Sequence, residues 1–340
     1  LQGEERWEYC TTILRDLGLE ADQKDAGLKN LMDLLGGHPL AMRALLPRLR
    51  EVGASVLAKQ LQGRIRVEPG SDPLQARLFA ALEFVEEALP ADLQPLLLPL
   101  GLHERFVDAD YLEMMAQQAD KRFSRADIER LLAMLAVSGL LRPLGQDIHE
   151  MHPALTGFLR ARPVAGLDDS QREAWRRAFV DVMGRLADHF APKELHEQRG
   201  LFHWHGANFL TALAEAEALG MDTHFAALTQ ALGAYAQNRW DFASAERRFG
   251  ALAEHHKQRN NPEGEAAAYH QLGRIAEERR DFAAAEQWYG KSLAISEKHG
   301  NEHYAASTYH QLGRIAEERR DLAAAEQWYG KSLAISEKHG

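Results

Sequence analysis

A single cysteine, Cys10, stands among 340 residues. No intramolecular disulfide framework can form, and a reducing, cytoplasmic compartment suits the chain. Long apolar runs are missing as well: none approaches the roughly 18–20 residues a helix needs to cross a bilayer. Positive charge is in deficit, with 40 Lys+Arg against 50 Asp+Glu and a formal net charge of −10, which argues against a general nucleic-acid surface. No stretch reads G-x-x-x-x-G-K-[ST], so no backbone cradle and lysine are present to hold a nucleotide's phosphates. Histidines do not converge on a metal. His149 and His152 form an isolated H-x-x-H and His203 and His205 merely flank Trp204, whereas a site needs three or four ligands. No carboxylate pair has an apolar neighbour that would raise a pKa, and Cys10 in WEYCTTIL reads as a buried thiol. The expectation is a protein that performs no chemistry here, without metal or cofactor of its own.

What the chain does contain is repetition. Residues 269–300, YHQLGRIAEERRDFAAAEQWYGKSLAISEKHG, recur at 309–340 with one change, Phe282 to Leu322, at a spacing of 40. A degraded copy at 232–250 keeps Leu232, Gly233, Ala236, Arg239, Asp241, Phe242, Ala245, Glu246 and Gly250 at the same offset. Apolar residues fall at helical spacing: Tyr269, Leu272, Ile275 and Ala276, then Phe282, Ala285, Tyr289 and Leu293. Asp281 is placed to cap the second helix, and His299-Gly300 to end it. The unit is therefore a helix pair that cannot bury its own apolar face and must stack on its neighbours.

Tyr269, Leu272, Gly273, Ala276, Ala285 and Tyr289 resemble the tetratricopeptide repeat in their spacing of bulky and small positions. The period exceeds that family's usual length of about 34 residues, which implies longer helices. The resemblance implies a protein or peptide ligand held on the first helix of each pair. That places His270, Arg274, Glu277 and Glu278, then His310, Arg314, Glu317 and Glu318, in a binding groove, with Gln230, Ala234, Gln237 and Asn238 in the older unit. The competing reading is a solvated face of i,i+3 and i,i+4 ion pairs.

The front half is helical too. An apolar-periodic stretch, Leu28–Leu35, stops at Gly36-Gly37, and Pro39 opens a helix over Leu40–Arg50. From Asp72-Pro73 a helix carries Leu74, Leu78, Leu82 and Val85, followed by Leu93–Leu98 and Asp110–Gln118. Ser124 and Asp127 form a capping box for Ile128–Val137. Gly139–Leu144, the turn Gly145-Gln146-Asp147 and Ile148–Met151 make a hairpin, so the segment reads as a winged helix. Ser170 and Glu173 are expected to cap a long helix with Trp175, Phe179, Val182 and Leu186.

The string LLGGHPLAMRALLPRL, with Gly37, His38 and Pro39, resembles the glycine-proline turn of STAND signalling NTPases of the NB-ARC type. Met151-His152-Pro153 resembles the Met-His-Asp segment closing their winged helix, with Pro153 in place of aspartate. Asn208, Phe209, Leu210, Ala212 and Leu213 resemble the helix that precedes their repeats. The resemblance implies switches of innate immunity and bacterial signalling. In them Gly37, Pro39 and His152 would lie beside ADP or ATP held by a nucleotide domain upstream, and the winged helix would hold the switch shut.

The predicted fold is mainly α: a helical subdomain over 1–65, a winged-helix domain with a short β-hairpin over 66–163, a helical connector over 164–222, and an α-solenoid of about three repeats over 223–340. Both ends read as cut, which makes the sequence a fragment whose uncapped last repeat, with Leu333 and Ile335, can self-associate. The leading function is the regulatory and sensor part of a signal-transduction NTPase. The alternatives are a repeat adaptor or scaffold without a switch, and a winged-helix DNA-binding regulator. The last is disfavoured because residues 64–162 carry 11 Lys+Arg against 15 Asp+Glu, a balance of −4.

Overall fold

The structure is a computed structural model that describes residues 1–67, 72–162, 164 and 166–339. Pro163, the expected end of the winged-helix domain, and Gly340 lie outside the described residues. The chain divides into two compact units, 1–182 and 183–340.

The first unit starts with α1 (Gly3–Asp16), α2 (Ala26–Leu35), α3 (Pro39–Leu45) and α4 (Ala54–Arg64). Asp25 caps α2 by accepting the Gly27 and Leu28 amides, and Gly36 ends it at φ +59°. The helix expected over Leu40–Arg50 is divided: it is α only to Leu45 and then 3-10 over Leu46–Arg50. Pro47 is the reason, because it donates no amide hydrogen and its ring crowds the carbonyl four residues back.

Next come α5 (Pro73–Ala88), a 3-10 turn at Gln94–Leu96, α6 (Leu97–Leu102), β1 (Phe106–Asp108), α7 (Ala109–Ala119) and α8 (Arg125–Val137). β2 (Leu141–Gly145) and β3 (Ile148–Met151) follow, then α9 (Pro153–Ala161) and α10 (Asp169–Phe190), inside which the boundary between the units falls. α5 packs against α2, α3, α4 and α9. Ser124 and Asp127 do form the capping box of α8. The wing turns through Gln146 and Asp147, both left-handed at φ 50° and 62°, a two-residue geometry that matches the twist of its strands. Pro143 sits on the edge strand, where no ladder amide is required.

The sheet has three strands in the order β1-β3-β2, all antiparallel, with Val107 opposite His149 and Leu141 opposite Met151. β1 was not expected. A three-residue strand has no readable period, and Phe106 and Val107 are simply buried. The cap of α10 also differs from expectation. Asp168 accepts the Gln171 amide (2.8 Å) while Gln171 accepts the Asp168 amide (3.0 Å); Glu173 instead pairs with Arg177 (2.7 Å).

The second unit continues with α11 (Leu195–Ala218) and three helix pairs: α12 (Asp222–Asn238) with α13 (Phe242–Gln258), α14 (Pro262–Glu278) with α15 (Phe282–Lys298), and α16 (Glu302–Glu318) with α17 (Leu322–His339). Each helix packs on the next. Asp241, Asp281 and Asp321 cap the second helix of each pair, accepting from Ser244, Ala284 and Ala324. Within a pair the crossing is set by glycine facing an aromatic ring. A Cβ on Gly273 would lie 2.6 Å from Tyr289, and one on Gly313 would lie 2.6 Å from Tyr329.

Candidate functional site

Two His-Pro dipeptides, at 38–39 and 152–153, build the same local structure. A residue before proline is driven to extended backbone, and His38 (ψ 113°) and His152 (ψ 131°) obey. Proline then starts the helix at the position where its missing amide hydrogen costs nothing. Each imidazole folds back to cap its helix. His152 Nδ1 accepts the Ala154 amide at 3.2 Å, and His38 Nδ1 accepts that of Ala41 at a long 3.5 Å. A backbone amide can only donate, so in both rings Nδ1 is the bare nitrogen and the proton sits on Nε2.

Burial lowers the pKa of His38, and the neighbouring His152 adds to the effect; burial lowers His152 as well. Both rings therefore remain neutral near pH 7, each offering one Nε2–H. They border adjoining hollows on either side of Pro153. One, of about 340 Å³, is lined by His38, Asp72, Phe79, Pro153 and Gly157. The other, of about 430 Å³, is lined by Arg105, Arg142, Glu150 and His152.

Charge decides what this cleft can hold. Arg142 and Arg105 (3.6 Å) both pair with Glu150, and Asp72 adds a negative group, so the arginines are already offset. The amides of the first turn of α9 are also engaged: Ala154 with the His152 ring and Leu155 with the His152 carbonyl (2.9 Å). Each hollow is bordered by one neutral imidazole, which can donate a single hydrogen bond to an acceptor oxygen. Such donors cannot neutralise a polyphosphate, whose charge would need cations from elsewhere. Gly37, at φ +70°, keeps the turn tight.

The predicted groove residues separate into two kinds. Arg274, Glu278, His310, Arg314, Glu317 and Glu318 are exposed. His270 and Glu277 are engaged internally. Thr308 gives its hydroxyl hydrogen to the Tyr304 carbonyl (2.8 Å), so its oxygen accepts from His270 Nδ1 (3.3 Å). Burial pushes the His270 pKa down to about 4, and Arg274 assists. Glu277 accepts the Tyr289 hydroxyl (3.0 Å) and pairs with Arg314 (2.9 Å) across α14 and α16. In the older unit Gln237 donates to Glu278 (2.6 Å) and Asn238 to Gln198 (3.0 Å). Sequence reasoning missed a ladder of arginine to glutamate between successive pairs, Arg279 to Glu246 (2.5 Å) and Arg319 to Glu286 (2.7 Å). Its only signal was that both partners recur at the period of 40.

The helix that would read bases starts with a neutralised arginine. Arg125, which leads the helix that would read bases, is surrounded by Asp110, Glu129 (2.8 Å), Asp147 (2.8 Å) and Glu113 (3.7 Å).

Residues 264–338 match the tetratricopeptide repeat family model. No curated protein matches the chain. Among solved structures it is similar to a STAND protein with a tetratricopeptide repeat sensor from Pyrococcus horikoshii, at 13% identity and a TM-score of 0.34. That alignment covers 98% of this chain and 54% of the other, so the chain spans about half the length of that protein. No described helix is long and apolar enough to cross a membrane.

Proposed function

We propose that this chain is the regulatory and sensor portion of a STAND-type signal-transduction NTPase. In this reading the helical subdomain and winged helix form a latch on phosphoryl oxygens, and the repeats hold a protein or peptide. The observation that carries the reading is the nearness of His38 and His152, which border two hollows that share Pro153, each capping a helix through its Nδ1. These residues lie more than a hundred positions apart and come from the two segments that resembled the family's nucleotide-facing motifs. Each donor suits one oxygen of ADP or ATP, and an upstream nucleotide domain would supply the remaining charge. This portion does no chemistry itself; it biases an equilibrium between two states through differential affinity.

The exposed groove candidates Arg274 and His310 support a polar peptide as the ligand of the repeats. The test is nucleotide release from the longer protein carrying its nucleotide domain. His152→Ala should speed release of bound ADP by roughly tenfold, the scale of an ordinary coupling free energy. Unchanged release in that variant sinks the switch and leaves a repeat adaptor.

A further inference from the structure

Successive first helices of the repeats answer one another through one pair of positions. Glu277 of α14 holds Arg314 of α16 through its Nη2 at 2.9 Å, and Gln311 steadies the same guanidinium by accepting from Nη1 at 3.0 Å. One period earlier that pair would be residue 237 with Arg274. Arg274 is steadied in the same way, its Nη1 donating to Gln271 at a longer 3.4 Å. Residue 237, however, is glutamine in the degraded unit. An amide offers no negative charge, and Gln237 donates instead to Glu278 at 2.6 Å. One change of side chain thus switches which residue of the next helix is used. A carboxylate takes the arginine; an amide takes the glutamate.

A guanidinium is left over. Among the described residues Arg274 makes no ion pair, and its Nη2, the nitrogen that in Arg314 carries Glu277, has no acceptor. The carboxylates that follow it on α14 are committed elsewhere, Glu277 to Tyr289 and Arg314, Glu278 to Gln237. His270 adds no charge near pH 7, because burial keeps its ring neutral. Arg274 is itself exposed, and α14 is an interior helix, with α12 and α13 before it and α16 and α17 after it.

We infer that Arg274 is the anion-selecting position of the groove and takes a carboxylate side chain, aspartate or glutamate, of the bound peptide. That carboxylate fills the place beside Arg274 that Glu277 fills beside Arg314. A guanidinium matches a carboxylate in shape as well as charge. Gln271 already fixes one arm of it, so less side-chain freedom is lost on binding. The inference rests on the reading that the repeats hold a peptide along these helices, and it makes no use of His38 or His152.

The experiment selects random dodecapeptides displayed on phage against the immobilised full chain, then titrates the recovered peptides by fluorescence polarisation. They should share an aspartate or glutamate at one position. For such a peptide Arg274→Gln should raise Kd about fivefold, the upper range for an ion pair that water still reaches. Gln237→Glu keeps Arg274 but gives it the internal carboxylate of the ladder, and should raise Kd by a similar factor with the helical circular dichroism unchanged. Exchanging the peptide's acid for its amide should cost the same in the original chain and nothing further in Gln237→Glu, because coupled positions do not add. Where the buried position 237 tolerates no charge, exposed Arg274→Gln and the peptide amide carry the same test. Binders without a shared carboxylate, or an acidic binder indifferent to these substitutions, overturn the inference and leave the groove standing. Recovery of no binder removes the groove reading and this inference together.

Discussion

Gly273 and Gly290 sit in neighbouring helices of one repeat, yet they should respond oppositely to alanine. A Cβ at Gly273 would strike the Tyr289 ring at 2.6 Å, whereas Gly290 has open space around it. Gly273→Ala should therefore cost about 1–3 kcal/mol through overpacking. Gly290→Ala should add about 1 kcal/mol through helix propensity. Urea unfolding of the full chain measures both. Histidine burial gives a second prediction at this scale. His103 is fully buried, its Nδ1 donates to the Pro99 carbonyl (2.8 Å), and its Nε2 has no partner; burial holds its pKa down to about 4. His270 is held at about 4 as well. Between roughly pH 6.5 and 4 the unfolded chain binds protons that the folded chain refuses, so stability falls as pH is lowered through that window and levels off below it. His270→Gln keeps a donor for Thr308 without the titration. It should flatten the pH dependence of repeat unfolding, followed by circular dichroism; an unaltered profile contradicts the assignment.

One side chain ties the wing to the helices beside it. Arg125 joins α7, α8 and the hairpin turn through Asp110, Glu129 and Asp147, and several carboxylates around it are left mutually repulsive without it. Arg125→Ala should speed amide exchange in β2 and β3 by roughly fivefold or more while leaving the repeats unaffected. Equal protection would show that the strand ladder alone holds the hairpin. The repeats are held differently, by the same turn used three times. Trp240, Arg280 and Arg320 each take a left-handed conformation (φ 64°, 60° and 62°) just before the capping aspartate. Glycine has no steric cost there, so Arg280→Gly should leave stability equal or raise it by up to about 1 kcal/mol. A rise in the unfolding midpoint of the repeats tests this.

For the whole molecule, negative charge and the neutralised Arg125 argue that the winged helix is not a reader of DNA. Mixed-sequence duplex should give no salt-dependent gel shift at micromolar protein; a shift with a steep salt slope would reverse that conclusion. Most of the architecture was already legible. The 40-residue period fixed the helix pairs, Asp281 and Ser124 marked helix starts, and Gly145-Gln146-Asp147 marked the wing turn, because these features are local and depend on backbone preference. What escaped reading were effects of neighbours distant in sequence. β1 exists because β3 offers it a ladder, and α10 starts where Asp168 and Gln171 satisfy each other. Glu277 and His270 looked like ligand residues but were claimed by Tyr289 and Thr308. The chain's order of residues dictates which segments coil and where they stop, since caps, prolines and periodicity act over a few positions. Which polar groups remain free for a partner follows from packing, because a hydrogen-bond donor or acceptor is used up only when folding brings its counterpart within reach.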